Sequence, residues 1–234
     1  MRIHLLGTGS ADGWPNPFCH CASCEAERAA GRSRTSSAAL VDGDLLIDPG
    51  PTATNAATRA GIGLATVAHV LITHGHPDHT AAIPLFPKAE VVSLAREAPL
   101  VEGREGSRGP LPRLFPVSPT GITVARLARD GDIVTLGQTQ VRVFAVPGHT
   151  AGSAAYLVNE VLFVGDSADA GTSGEIQGAP WVFSDSQPEN RASLVSLSHR
   201  LAADGTPVRA IAFAHSGVLM DGLGALASFA RQNQ

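Results

Sequence analysis

Seven consecutive residues, Thr73-His74-Gly75-His76-Pro77-Asp78-His79, follow directly on the apolar run Val70-Leu71-Ile72. Three imidazoles and a carboxylate thus fall within six positions, immediately behind a buried-strand pattern. A compact loop at that strand end aims four good metal ligands at one point, so the fold must bring this edge to an enclosed, polar place. Neutral imidazole and carboxylate suit zinc, iron and manganese alike, and the spacing does not choose among them. The competing reading is a polar loop with a chance histidine cluster, and the rest of the chain is what separates the two.

Composition narrows the classes of partner. With 234 residues, 44% hydrophobic and 16% charged, there is material for one sizeable core or two fused half-domains. The net charge is −4 and Lys88 is the single lysine, so the basic patch of a nucleic-acid binder is missing. No apolar span reaches 18 residues, and no transmembrane helix is expected. The start, Met1-Arg2-Ile3-His4-Leu5-Leu6-Gly7, carries neither the long apolar region nor the cleavage site of a signal peptide. Cys19, Cys21 and Cys24 crowd within six positions and do not make a disulfide framework. The expectation is a soluble, cytoplasmic protein acting on a small molecule, away from membranes and nucleic acid, with a homodimer as a compatible assembly.

In chain order, residues 2–6 read as a first strand closed by Gly7-Thr8-Gly9-Ser10. A Gly-, Pro- and Asn-rich stretch with the three cysteines follows, then a short helix at 22–30. Residues 37–41 and 45–47 form a hairpin around Asp42-Gly43, whose second arm ends at Asp48. Residues 51–60 are helical, 69–73 are the strand delivering the histidine motif, and 80–85 begin a helix kept short by Pro84 and Pro87. After a strand at 91–94, residues 95–120 with their five prolines read as a mobile surface insertion rather than a second domain. Strands are expected at 122–127, 133–136 and 141–146, a hairpin around Asn159-Glu160, a helix at 190–203 and a strand at 210–214. The whole is read as one domain, 1–234, with a cysteine-containing loop at 8–35 and the insertion at 95–120.

The motif Thr73-His74-x-His76-x-Asp78-His79 resembles the signature of the metallo-β-lactamase superfamily. Further stretches continue the resemblance: Pro147-Gly148-His149-Thr150 with Gly152-Ser153, Gly165-Asp166, and His215-Ser216-Gly217, each behind an apolar strand. The resemblance implies a four-layer αβ/βα sandwich of the α/β class with two divalent metal ions at one sheet edge, zinc first and manganese or iron as alternatives. It assigns His74, His76 and His149 to one ion, Asp78, His79 and His215 to the other, and Asp166 to both, together with a bridging hydroxide. Asp78 would orient that hydroxide and accept its proton, while Asp48 and Thr73 would support the metal loop from below. The expected function is metal-dependent hydrolysis of a small ester-like substrate.

Departures from the pattern narrow the branch. True β-lactamases of this family place Cys or Ser where this chain has Asp166. The Gly7-Thr8-Gly9-Ser10 turn and the cysteine trio are similar to the phosphodiesterases of phosphonate degradation, which implies a structural zinc at Cys19, Cys21 and Cys24. In those relatives a histidine supplies the fourth ligand where this chain has Val218; Asp221 is the nearest substitute, with His4, His20 and His199 as other candidates. Their extra catalytic histidine is also missing from Pro188-Glu189-Asn190-Arg191. The 147–153 stretch and the 190–203 helix instead resemble glyoxalase-II-like and lactonase-like members. A phosphodiester is therefore the first expectation, a lactone or thioester the alternative, and mononuclear-iron sulfur dioxygenation a different class.

Overall fold

In the computed structural model, residues 1–171 and 173–233 are described. The first sheet is built in chain order from β1 (Ile3–Gly7), β2 (Ala38–Val41), β3 (Leu45–Ile47), β4 (His69–Leu71), β5 (Glu90–Leu94) and β6 (Arg126–Ala128). Its first three strands pair antiparallel and the rest parallel. The second sheet carries β7 (Ile133–Leu136), β8 (Thr139–Ala145), β9 (Ala154–Val158) and β10 (Val161–Gly165). A small ribbon, β11 (Ala168–Ala170) and β12 (Ile176–Gly178), precedes β13 (Ala210–Phe213) and β14 (Gly217–Met220). Strands β13 and β14 complete the second sheet, in the order β14-β13-β10-β9-β8-β7.

Strand alternation makes the layers. Ala39, Val41, Leu45, Ile47, Leu71 and Val92 from the first sheet meet Val141, Val143, Tyr156, Phe163 and Ala212 from the second in one core between the sheets. Their neighbours point the other way. Leu40, Leu46, Val70 and Val91 join a cluster outside the first sheet, and Phe144, Leu157, Leu162 and Ile211 join one outside the second. Apolar residues on both faces explain why these strands read as near-continuous hydrophobic runs.

The helices are α1 (Ala22–Ala29) in the cysteine loop, α2 (Ala53–Arg59), α3 (Pro77–Thr80) within the histidine motif, α4 (Ala98–Val101), α5 (Gln187–Ala203) and α6 (Gly222–Gln232). Of these, α2 and α4 place Ala53, Ala98 and Val101 against the outside of the first sheet. In α5, Leu194, Leu197 and Leu201 recur at helical spacing and seal the second sheet, with Leu226 and Phe229 of α6 beside them. The result is the expected αβ/βα sandwich.

The β2–β3 hairpin turns where anticipated, with Asp42 and Gly43 both at positive φ (47° and 86°), as a two-residue turn of this hand requires. Three local expectations change. The short helix expected at 80–85 is present as a 3-10 turn at Ile83–Leu85. A separate helix, α3, starts earlier, inside the motif at Pro77, which fits a first helical turn because its missing N–H has no intrahelical partner to lose. The 122–127 strand shrinks to Arg126–Ala128, because Ile122 and Val124 turn into the outer apolar cluster and their N–H groups bond Thr120 Oγ1 and Glu102 Oε1. The 95–120 stretch is not all surface: Glu97, Ala98 and Val101 are buried at its start. Strand β14, helix α6 and the β11–β12 ribbon were not anticipated.

Candidate metal centre

Strands β4, β8, β10 and β13 run so that their C-terminal ends share one edge, and each is followed by donors: residues 74–79, His149, Asp166 and His215. There the side chains fall into two groups, His74-His76-His149-Asp166 and Asp78-His79-Asp166-His215, in each of which one donor atom per residue lies within 4.8 Å of all the others. All seven residues read from the sequence are brought together, and Asp166 belongs to both groups.

Hydrogen bonds fix the tautomers on the first side. Thr73 Oγ1 donates its own proton to Asp48 Oδ2 (2.6 Å), so at 3.2 Å it accepts from His74 Nδ1. Ser184 Oγ donates to the Pro180 carbonyl (2.7 Å) and likewise accepts from His149 Nδ1 at 3.2 Å. Both rings therefore present bare Nε2 lone pairs, which approach His76 Nδ1 to 3.1 and 3.0 Å. One proton on His76 Nδ1 could satisfy a single one of these two contacts; a cation among the rings satisfies all three nitrogens. The donor set fits a divalent metal on that ground.

On the second side, His79 Nδ1 lies 3.1 Å from Asp48 Oδ2, while its Nε2 is buried without a hydrogen-bond partner and sits 3.2 Å from Asp166 Oδ1. His215 Nε2 contacts both Asp166 oxygens at 3.1 Å and lies 3.6 Å from Asp78 Oδ2. Asp166 Oδ2 is also 3.8 and 3.7 Å from His74 and His149 Nε2. A carboxylate so placed can serve two cations at once.

Electrostatics divide the two groups. Burial holds His74 well below the usual histidine range, and burial pushes His149 down to about 3, so both rings are neutral and able to ligate. Burial also lowers His79 and His215, but Asp166 and Asp78 outweigh it, holding His79 well above that range and His215 at about 9. Burial would raise Asp166, yet the facing His215 and His79 keep it well below the usual carboxylate range.

The supports extend beyond the sequence reading. Asp48 is a strand-end turn residue (φ 48°) and also a support, taking Thr73 N–H at 2.8 Å as well as Thr73 Oγ1 and His79. Tyr156 reaches from the second sheet to donate to the Ile72 carbonyl at 2.7 Å, just before the motif. Missed from the sequence were Ser107 at His76 Nε2 (2.8 Å), Ser184, and the buried Glu97 beneath both histidine loops. Serines carry no spacing signal, and Glu97 sat in a stretch read as surface.

At the other candidate site, the Sγ atoms of Cys19, Cys21 and Cys24 lie within 4.8 Å of one another. Cys21 caps α1, with Cys24 N–H pointing at its sulfur (3.5 Å), and hydrogen bonds from Cys24 and Cys19 bring its thiol down to about 7. No fourth His, Cys, Asp or Glu joins this group among the described residues. Asp221 instead caps α6 by accepting from Gly224 N–H, His20 pairs with Glu25, and His199 is exposed on α5.

The profile of the Metallo-beta-lactamase superfamily matches residues 32–209, and the chain belongs to that superfamily. The hydroxyacylglutathione hydrolase of Aliivibrio fischeri (strain MJ11) is 38% identical over 98 residues, covering 42% of this chain and 32% of that protein. The hydroxyacylglutathione hydrolase of Cupriavidus taiwanensis is 34% identical over 143 residues, covering 58% and 49%. This chain thus spans about a third to a half of the length of these curated relatives. A metallo-beta-lactamase family protein from Thermus thermophilus shares the fold, with a TM-score of 0.63 at 22% identity over 98% of this chain and 78% of that one. No described helix is long and apolar enough to cross a membrane.

Proposed function

We propose that this protein is a dinuclear metal-dependent hydrolase of small carbonyl esters, with thioesters as the first substrate class. The observation that carries it is Asp166, shared by two donor groups that otherwise have no residue in common. Two divalent ions held there would lower the pKa of a bound water and polarise the reacting oxygen of the substrate. His74, His76 and His149 would hold one ion and Asp78, His79 and His215 the other, with Asp48 and Thr73 fixing the orientation of the His79 and His74 rings. Asp78, with Oδ2 3.7 Å from His79 Nε2 and 3.6 Å from His215 Nε2, is partly exposed and would accept the proton of the attacking water. No serine or cysteine nucleophile is required.

The thioester preference draws on the relatives named hydroxyacylglutathione hydrolase, and places the phosphodiesters suggested by the N-terminal cysteines second and lactones third. The cysteine trio holds a structural zinc, since thiolates favour that ion and the loop has few apolar anchors. A panel of thioester, phosphodiester and lactone substrates, run on protein with defined metal content, is the test. Metal-dependent thioester turnover that a chelator abolishes is the expected result. Protein that holds two ions and hydrolyses none of the three classes would contradict it.

A further inference from the structure

The His74-His76-His149 triangle straddles the seam of the sandwich. His74 and His76 follow β4 of the first sheet, whereas His149 follows β8 of the second. Strands β4 and β8 belong to different sheets. Ala154 N–H on the Thr73 carbonyl (2.9 Å) and Tyr156 on the Ile72 carbonyl (2.7 Å) tie the base of the first loop to β9, but neither bond reaches the His149 loop. Yet to share one ion each of the three nitrogens must reach its bonding distance to within about 0.2 Å.

Glu97 lies under this seam, only 1% exposed. Its Oε1 accepts the Gly75 N–H at 2.7 Å and the Thr150 hydroxyl at 2.9 Å; its Oε2 accepts the Gly152 N–H at 2.9 Å. Gly75 is the residue between His74 and His76, and Thr150 is the residue after His149. One carboxylate therefore grips both loops, next to the ligands but touching none of them. Three donors converging on one buried group fix its position and theirs, whichever charge it carries.

Close packing reinforces the grip. A Cβ on Gly75 would come within 2.7 Å of Leu100 Cγ and 2.8 Å of Val101 N; one on Gly152 would meet Glu97 N at 2.5 Å and Oε2 at 2.6 Å. Both loops are pressed against the turn that carries Glu97, and only glycine permits that approach. The other donor group has its own direct anchor, since Asp48 contacts His79; Asp48 reaches the three-histidine group only at one remove, through Thr73 and its bond to His74 Nδ1.

We infer that Glu97 is the positioning residue of the three-histidine metal position, clamping the loops of the two sheets in register and serving that position selectively. The inference rests on the dinuclear reading above. Glu97→Ala strips both glycine N–H groups of their acceptor and should weaken the ion at His74, His76 and His149 roughly 10–100-fold, the range for loss of a ligand-orienting partner. The ion at Asp78, His79, Asp166 and His215 should keep its affinity. Glu97→Gln retains one acceptor oxygen but sets an amide N–H₂ against a glycine N–H, so its effect should be intermediate.

The test is a zinc titration of wild type, Glu97→Gln and Glu97→Ala against a chromophoric chelator. Anomalous diffraction at limiting zinc then reports the occupancy of each position, and the melting temperature of metal-free protein reports folding. Graded, selective loss at the three-histidine position bears the inference out. Two unchanged affinities in Glu97→Ala, or equal loss at both positions, overturns it while leaving the dinuclear reading intact. A wild type that never holds two ions overturns both. Should Glu97→Ala fail to fold, Glu97→Gln decides by the same selectivity.

Discussion

The molecule offers two candidate metal sites built on opposite plans. At the sheet edge, the histidine and aspartate donors stand at the ends of core strands, and the far atoms of the rings are engaged by buried Thr73, Ser184 and Asp48 and by half-buried Ser107. At Cys19, Cys21 and Cys24 the donors lie on a loop, and what orders them is local, chiefly the first turn of α1 and the Arg28 side chain reaching the Asn16 carbonyl. The first site is preorganised by the fold, and the second has to gain order from the ion it binds. That difference predicts that metal removal leaves the sheet edge folded and loosens the cysteine loop.

The largest effect should follow from removing a donor at the sheet edge. Asp78→Ala deletes both a ligand and the proton acceptor and should lower kcat by several powers of ten in a protein that stays folded by circular dichroism. Asp166→Ala should cost both ions, read by elemental analysis. Near-normal turnover in either variant would mean the edge is not organised as described.

A step smaller is Asp48→Ala. It leaves Thr73 N–H and His79 Nδ1 without their acceptor and should weaken the ion held by His79 about 10–100-fold, and the three-histidine ion less, since Asp48 reaches His74 only through the Thr73 hydroxyl. Equal weakening of the three-histidine ion would blur the division between the Asp48 and Glu97 anchors.

Smaller again for catalysis, Cys21→Ser should lower zinc content by one equivalent and lower the melting temperature while turnover persists. If the variant instead loses activity in proportion to zinc, the two sites are coupled and the contrast between them fails. If wild-type protein prepared with ample zinc shows no density among the three sulfurs, the loop is held by packing alone.

The smallest effect concerns pH. In metal-free protein, burial, aided by Asp185, pushes Glu97 from an ordinary 4.5 to about 7, against the hydrogen bonds it accepts. The folded chain thus keeps this proton longer than the unfolded one. The contribution of Glu97 to stability is fully present below pH 4.5 and is lost as pH rises through 7, with a slope of at most about 1.4 kcal/mol per pH unit. Denaturant titrations across this window should show that slope in wild type and lack it in Glu97→Gln; identical slopes would contradict the assignment.

The sequence exposed the donors far better than their supports. Each donor follows an apolar strand: residue type and spacing alone marked His74, His76, Asp78 and His79, while the resemblance to the metallo-β-lactamase superfamily singled out His149, Asp166 and His215. Asp48 was visible for the same reason, as the end of β3. Glu97 was not, because its partners are two glycine N–H groups and a threonine hydroxyl at distances of 22, 53 and 55 residues along the chain. The prolines around it suggested a surface loop, whereas burial of Ala98 and Val101 pulls its start into the core. Ser107 and Ser184 escaped for a related reason, since a serine hydroxyl gains meaning only from what the fold sets beside it. Helix α3 was not anticipated because a motif read as a loop of ligands is also one helical turn, which is what points Asp78 and His79 toward the second donor group.

The central claim is that one carboxylate, Asp166, joins two metal positions. Anomalous diffraction from zinc-saturated crystals, paired with elemental analysis of the same preparation, tests it most directly. The account predicts two peaks at the sheet edge, one among His74, His76 and His149 and one among Asp78, His79 and His215, with Asp166 reaching both. A single peak at the three histidines after saturation would contradict it.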